Sequence, residues 1–325
     1  MSRLLALCCV WLSACAASVL DAPTTEGARQ LGRQVDGARV FADVEALAAL
    51  HLADAPVDCR SLNARSETWC HLTNAAARDF VEARFTSLGL TPRSDASEVH
   101  PATSNVIAEV RGTAKPDEVV LIGAHFDAFY AGADDNSSGV AVMLEVARLV
   151  AQRPLARTVR FVGFDHEEIG LVGSTRHVAS SWARPKVSLV LDCVGYADAT
   201  PGSQGSLPGF PVPPAGDFLA AIGNDVSRAR LEQLVAVAQG EDVPGVQAIV
   251  APGEGAGPLS GNLMRSDHAP FWLAGESAVF FTDTANFRNA HYHTATDTPD
   301  TLDPDFLAGV ARVTAMSIAA WGDAP

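Results

Sequence analysis

The sequence predicts an α/β protein, a single domain with a mixed, mostly parallel central sheet flanked by helices. Two observations predict it. Short runs rich in β-branched residues alternate along the chain with segments that carry apolar residues at helical spacing. The acidic and histidine residues collect just after those runs, at the carboxyl ends of the expected strands, where open α/β sheets bind ligands.

In order, MSRLLALCCVWLSACAAS places Arg3 before an apolar stretch from Leu4 to Leu12 and then small residues. That pattern is a secretory signal, too short to span a membrane. Leu12-Ser13-Ala14-Cys15 is similar to the bacterial lipobox, which makes Cys15 a candidate lipidation site; cleavage after Ala14-Cys15-Ala16 is the alternative. Either way the mature protein is expected to be exported, as a cell-envelope lipoprotein or a secreted protein. Residues 1–15 are thus assigned to the signal, 16–40 to a flexible tether and 41–325 to the domain.

DVEALAALHLA (43–53) and LTNAAARDFVEARFTSLG (72–89) carry helical spacing and are expected on the surface. SNVIAEVRG and EVVLIGAHF read as strands, and VAVMLEVARLV as a helix with Ser137 and Ser138 as N-caps. RTVRFVGFDHEE is a strand, GSTRHVASSWA a helix and KVSLVLDCVGY a strand. Residues 198–215, rich in Pro and Gly, form a long loop. GDFLAAIGNDVSRARLEQLVAVAQG is expected to be helical, VQAIVAP and SAVFFTDT are strands, and DPDFLAGVARVTAMSIAAW closes the chain as an amphipathic helix.

With 48% hydrophobic and 19% charged residues the chain can bury a sizeable core. A net charge of −15 argues against nucleic acid and against electrostatic attachment to anionic lipid, leaving a lipid anchor as the expected membrane contact. In an oxidising compartment Cys59 and Cys70, which enclose CRSLNARSETWC, are expected to pair, and Cys193 reads as an inert core thiol. A monomer is expected.

The loop GAHFDAFYAGADDNSSG carries His125, Asp127, Asp134 and Asp135 between a strand and a helix. Glu167 and Glu168 follow the next strand, Asp192 the one after, and His293 lies in HYHTATDTPDTLD. Parallel strands bring such ends to one edge of the sheet. Imidazole and carboxylate without thiolate suit zinc, and a shared carboxylate can bridge two ions. A neighbouring carboxylate that is not a ligand can take a proton from water, and adjacent glutamates supply one of each kind. In His-x-Asp the aspartate can orient the imidazole. Asp134 reads as loop or support and His268 as a hydrogen-bonded structural histidine. His166, His177 and His291 are expected to be exposed or partly packed, without chemistry.

H-x-D, then G-A-D-D-N-x-S-G, E-E-x-G-L-x-G-S, L-D-x-x-G-Y, S-D-H-A-P-F-W and Y-H-T-x-x-D-T resemble the exported bacterial di-zinc aminopeptidases. These share their catalytic domain with glutamate carboxypeptidase II and the glutaminyl cyclases. The resemblance runs from about residue 75 to the end. It implies two Zn2+ ions, one held by His125 and Asp192, the other by Glu168 and His293, with Asp135 bridging. It also implies Glu167 as general base, Asp127 as the residue orienting His125, and a cis peptide after Asp135. Cys193 and His166 depart from the pattern, standing where an apolar and a small residue are usual, and neither removes a ligand.

The expected reaction is hydrolysis of N-terminal residues from peptides by a hydroxide bridging two zincs, with Glu167 as base. A carboxypeptidase, a dipeptidase or a glutaminyl cyclase on the same fold is the alternative. A binding ectodomain without catalysis is the alternative of another class. Substrate-pocket residues are not readable from the motifs, though Phe271, Phe281 and Phe287 are candidates.

Overall fold

The computed structural model describes residues 20–58, 67–96, 104–180, 182–207, 209–255 and 261–325. The chain enters through two helices, α1 (Ala22–Gly32) and α2 (Gly37–Ala53). Each begins at an aspartate whose carboxylate caps a free backbone N–H: Asp21 accepts from Thr24 and Asp36 from Arg39. A two-residue strand β1 (Leu72–Thr73) and α3 (Ala75–Ser87) follow.

The sheet is then built in alternation. Strands β2 (Arg93–Ala96), β3 (Ser104–Val110) and β4 (Lys115–His125) precede the short β5 (Ala128–Phe129) and α4 (Gly139–Gln152). Next come β6 (Arg157–Phe164), α5 (Val172–Ala179), β7 (Val187–Leu191), β8 (Phe218–Gly223), α6 (Arg228–Ala238) and β9 (Gly245–Val250). The chain closes with α7 (Ala269–Leu273), β10 (Ala278–Thr282) and α8 (Pro304–Asp323). Among the described residues, eight strands pair in the order β2-β3-β6-β4-β7-β10-β8-β9, and β1 pairs separately with β5. The centre, β6-β4-β7-β10, is parallel; β3 joins β6 antiparallel, and β8 joins β10 antiparallel.

The central strands separate two cores. Val120, Ile122 and Ala124 of β4 point to one, and Leu121 to the other, as the two-residue period of a strand requires. Helices α1 to α4, α6 and α8 cover the first face, while Phe271 and Trp272 of α7 lie on the second. None of the helices among the described residues is long and apolar enough to cross a membrane.

Several expectations need correction. Residues 22–32 and 37–40, assigned to a flexible tether, are helical, and Ala28, Leu31 and Val40 are fully buried in the main core. The closing helix α8 is not amphipathic in place: it is buried on almost every side, because α1 and α2 pack over the face expected to meet water. The first part of the segment expected to be helical, Phe218–Gly223, is strand β8, held between β10 and β9. Neither Ser137 nor Ser138 caps α4. The Ser138 hydroxyl instead donates to the Asp134 carbonyl at 2.7 Å, and Asn136 Oδ1 accepts from Gly139 N at 3.2 Å.

The signal and Cys15 lie outside the described residues, as does Cys59; Cys70 is disulfide-bonded. Cys193 is a buried free thiol, as expected of a core cysteine. His166 and His177, expected to be exposed or partly packed, are fully packed.

Candidate metal centre

The chain turns outward from β4 to α4, so the ends of β4, β6 and β7 and the loop after β10 meet over the middle of the sheet. In this order β4 lies between β6 and β7, the point where successive connections leave in opposite directions and a crevice opens. His125 is the last residue of β4. Glu167 and Glu168 follow β6, Asp192 follows β7, and His293 lies beyond β10 with left-handed backbone, φ 58°.

Among the described residues two groups of potential ligands form there, and they share one residue. His125, Asp135 and Asp192 offer ligand atoms within 4.8 Å of one another, and so do Asp135, Glu168 and His293. Asp135 divides its carboxylate between them: Oδ1 lies 3.3 Å from His125 Nε2 and Oδ2 lies 2.9 Å from His293 Nε2. His125 Nε2 is also 3.6 Å from Asp192 Oδ1, and His293 Nε2 is 2.9 Å from Glu168 Oε2.

Whether these residues fit a metal is decided by atoms left without partners. Among the described residues, His125 Nε2, His293 Nε2 and Glu168 Oε1 are buried and find no hydrogen-bond partner of suitable geometry. Orphaned buried polar atoms are costly unless something else binds them. His125 Nδ1 donates to the Asp127 carbonyl at 3.0 Å, which fixes the tautomer and leaves the Nε2 lone pair directed at Asp135 and Asp192. A nitrogen–oxygen donor set of this kind matches zinc.

The electrostatics agree. Burial pushes the Glu168 carboxyl up to about 8, with Asp135 adding to the shift and His293 opposing it. Burial also pushes Glu167 well above the usual range, and Asp192, Glu168 and Asp267 act in the same sense against His125. Burial works against the charged form of both imidazoles. Even so, Asp192 and its neighbours raise His125 well above its usual value, and Glu168 with Asp135 raises His293 to about 10. Asp135 is held low despite its burial by His125 and His293. The cluster is a cage of carboxylates that needs cationic charge, which protons supply poorly and divalent ions supply well.

Asp127 departs from its expected role in one respect. Its carbonyl, not its carboxylate, receives the His125 proton; the carboxylate oxygen sits 3.6 Å from Nδ1, outside hydrogen-bond range. The carboxylate accepts instead from the backbone N–H of Glu167 at 3.0 Å and Glu168 at 3.2 Å. It therefore couples the loop after β4 to the glutamate pair after β6.

Residues without an assigned role complete the support. Asp297 accepts from the backbone N–H of Asp134 at 2.9 Å and of Asp135 at 3.1 Å, fixing the loop that carries the shared carboxylate. The only signal for it in the sequence is the acid four residues after His293 in HTATD. Asn136, which follows the cis Asp135–Asn136 peptide, donates to the Leu191 carbonyl at 2.9 Å and accepts from Cys193 N at 3.3 Å, tying the same loop to β7. Asp134 does act as support, accepting from Gly195 N at 2.9 Å and Asn289 Nδ2 at 2.8 Å. His268 is structural, with Nε2 at 2.6 Å from the Leu263 carbonyl and its ring stacked on Phe280.

Tyr292 stacks on His293 at 3.8 Å between ring centroids, and its hydroxyl accepts from Arg265 Nη2 at 3.3 Å. Beside Asp192 opens a small cavity of about 50 Å3, lined by Leu207, Ile222, Leu263, Phe280 and Phe287, with Arg265 at its wall. Of the three phenylalanines considered from sequence only Phe287 lines it; Phe271 and Phe281 are core residues, 1% and 0% exposed.

Comparison with known proteins agrees with this geometry. Residues 105–318 match Peptidase family M28. The chain is 33% identical over 226 residues to the uncharacterized protein YfbL of Escherichia coli, covering 63% of this chain and 67% of that one. Aminopeptidase YwaD of Bacillus subtilis is 35% identical over 118 residues, 33% of this chain and 26% of its own, so this chain spans about a quarter of that relative. The crystal structure of LapB from Legionella pneumophila superposes with a TM-score of 0.67 at 20% identity, over 91% of this chain and 74% of that one, and shows the shared fold. With the family covering most of the chain and both ligand groups lying within the matched residues, the protein belongs to peptidase family M28.

Proposed function

We propose that this zinc metallopeptidase is an aminopeptidase, releasing N-terminal residues from peptides. The observation that carries the reading is the division of one carboxylate, Asp135, between two histidine-containing ligand groups, with Glu167 buried next to the ligand-group residue Glu168 in the chain and itself a member of neither group. Zinc ions held by His125, Asp135 and Asp192 and by Asp135, Glu168 and His293 would polarise the scissile carbonyl and acidify the attacking water.

The protein's own groups do the rest. With zinc charge offsetting the surrounding carboxylates, Glu167 would be ionised at the start; it accepts the proton of that water, returns it to the departing amine and ends the turnover ionised again. Asp127, by holding the backbone N–H of both glutamates, fixes the base relative to its neighbour Glu168. Burial of Glu167 and Asp135 excludes bulk water, which strengthens each charge interaction at the reacting bond. The small apolar cavity beside Asp192 suits an aliphatic side chain at the cleaved residue. The likeness to an aminopeptidase from Bacillus subtilis supports the same direction.

Arg265 favours a second reading. An exposed guanidinium on the wall of that cavity is the group that would hold a substrate carboxylate, as a carboxypeptidase or dipeptidase needs. Zinc-loaded protein should cleave Leu-p-nitroanilide and leave its N-acetylated counterpart intact, with activity lost on chelation and two zincs per chain by elemental analysis. Cleavage only of peptides with a free carboxyl end would install the second reading, and one zinc per chain would point to cyclase-type chemistry. Glu167→Gln should lower kcat by about 10²- to 10⁴-fold with zinc content unchanged; full activity would remove Glu167 from its role.

A further inference from the structure

The two edges of the eight-stranded sheet are built differently. Strand β2 is short and charged, Arg93-Ser94-Asp95-Ala96, and Asp95 is ion-paired with Arg176 at 2.7 Å. Short strands and charge are how sheet edges are kept from pairing with other chains. At the other edge β9 reads Gly-Val-Gln-Ala-Ile-Val, without a charge, a proline or a break in its pairing to β8. Its outer side has no strand partner among the described residues.

A cavity of about 730 Å3 runs along this edge between α6 and β9. Leu231, Val235 and Ala236 line it from the helix, and Val246, Ala248 and Val250 from the strand. With Arg228, Glu232 and Gln239 the three helix residues form one stripe, at spacings of three and four, and Val235 is 40% exposed. The charges on the lining are one of each sign, Arg228 and Glu232, one helical turn apart. On a chain of net charge −15 this is a neutral apolar patch, one that two copies can bring together without like-charge repulsion. Because its charges are opposite, a two-fold contact can set Arg228 of one copy toward Glu232 of the next, which makes the patch complementary to itself.

Against the expectation of a monomer, we propose that the chain self-associates through the outer edge of β9, paired antiparallel with β9 of a second copy. The pleat restricts the register. Directly opposed residues of an antiparallel pair share a face, so the apolar groove face is kept together when Ala248 lies opposite its own copy and Val246 opposite Val250. The smallest of these side chains then falls on the two-fold axis. The two sheets become continuous, and α6 of each copy lies beside the other over the joined strands.

The register makes the test specific. Opposed residues in an antiparallel pair have Cα atoms about 4.5–5.5 Å apart, within disulfide reach. Light scattering over a concentration series should show the mass rising toward twice that of the chain. Ala248→Cys should form a disulfide-linked dimer on mild oxidation where the parent protein does not. Ala248→Lys, which opposes two cations, should weaken association about tenfold or more while peptidase activity, read as a check on folding, is unchanged. A mass that stays monomeric throughout overturns the proposal. Fast amide exchange in residues 245–250 would then show an open edge, and slow exchange an edge covered by another segment of this chain. A dimer that tolerates Ala248→Lys and gives no link through Ala248→Cys uses another face, and overturns it equally.

Discussion

Asp297 shows how a residue outside the ligand set can govern it. Its two oxygens take the backbone N–H groups of Asp134 and Asp135, so the shared carboxylate is aimed by a side chain 162 residues further on. Removing such support beneath a metal ligand typically costs about 10- to 100-fold in affinity or activity. Asp297→Asn keeps the shape but turns one acceptor into a donor facing an N–H. Zinc affinity, measured by competition with a chromogenic chelator, should fall by about that factor, and kcat/KM at limiting zinc should fall with it. Unchanged affinity would make Asp297 a packing residue. The motif Y-H-T-x-x-D-T contains this aspartate, but spacing alone cannot separate a carboxylate that binds metal from one that binds backbone.

Among the elements, α1 and α2 matter most, because the packing of residues 22–40 contradicts the expectation of a flexible tether. Arg312 is the only charged residue between Asp305 and Asp323, so α8 has almost no face suited to water. That helix has to be covered on the side away from the sheet, and α1 and α2 cover it. The approach is close: a Cβ on Gly32 would fall 2.5 Å from Met316 Cγ and 3.1 Å from the Arg312 carbonyl. Leu31, fully buried, anchors the same contact. Leu31→Ala should therefore destabilise the protein by about 2–5 kcal/mol, measured by urea unfolding. A freely mobile tether would give no change.

Over the whole molecule, buried neutral histidines set a pH limit on stability. Burial holds His177 down to about 3, with Arg160 and Arg176 in the same direction. Its ring stacks on Trp182, and its Nδ1 has no hydrogen-bond partner among the described residues. In the unfolded chain the same imidazole titrates near 6.5. The unfolded state thus gains a proton first. The stability contributed by neutral His177 is complete above 6.5 and is lost as pH falls toward 3. The melting temperature should drop as pH is lowered from neutral, and His177→Phe, which keeps the ring stack and cannot protonate, should shallow that slope. An identical slope in the variant would place the acid sensitivity elsewhere.

The sequence alone carried the α/β class, the central parallel strands and the residues of the ligand groups. Strand ends are marked by where an apolar run stops, and His125, Glu167, Glu168 and Asp192 each stand within a few residues of such a stop. Local pattern was sufficient there because parallel strands bring their ends together whatever else the chain does. Tertiary structure decided the rest. Phe218–Gly223 is helical by its neighbours but became a strand because β10 and β9 offer it hydrogen bonds on both sides. Residues 22–40 became part of the domain because α8 needed a cover. The Asp127 carboxylate turned to two backbone N–H groups because β6 ends beside β4. In each case the deciding partner lies far along the chain, and its energy enters only when the fold has brought the two together.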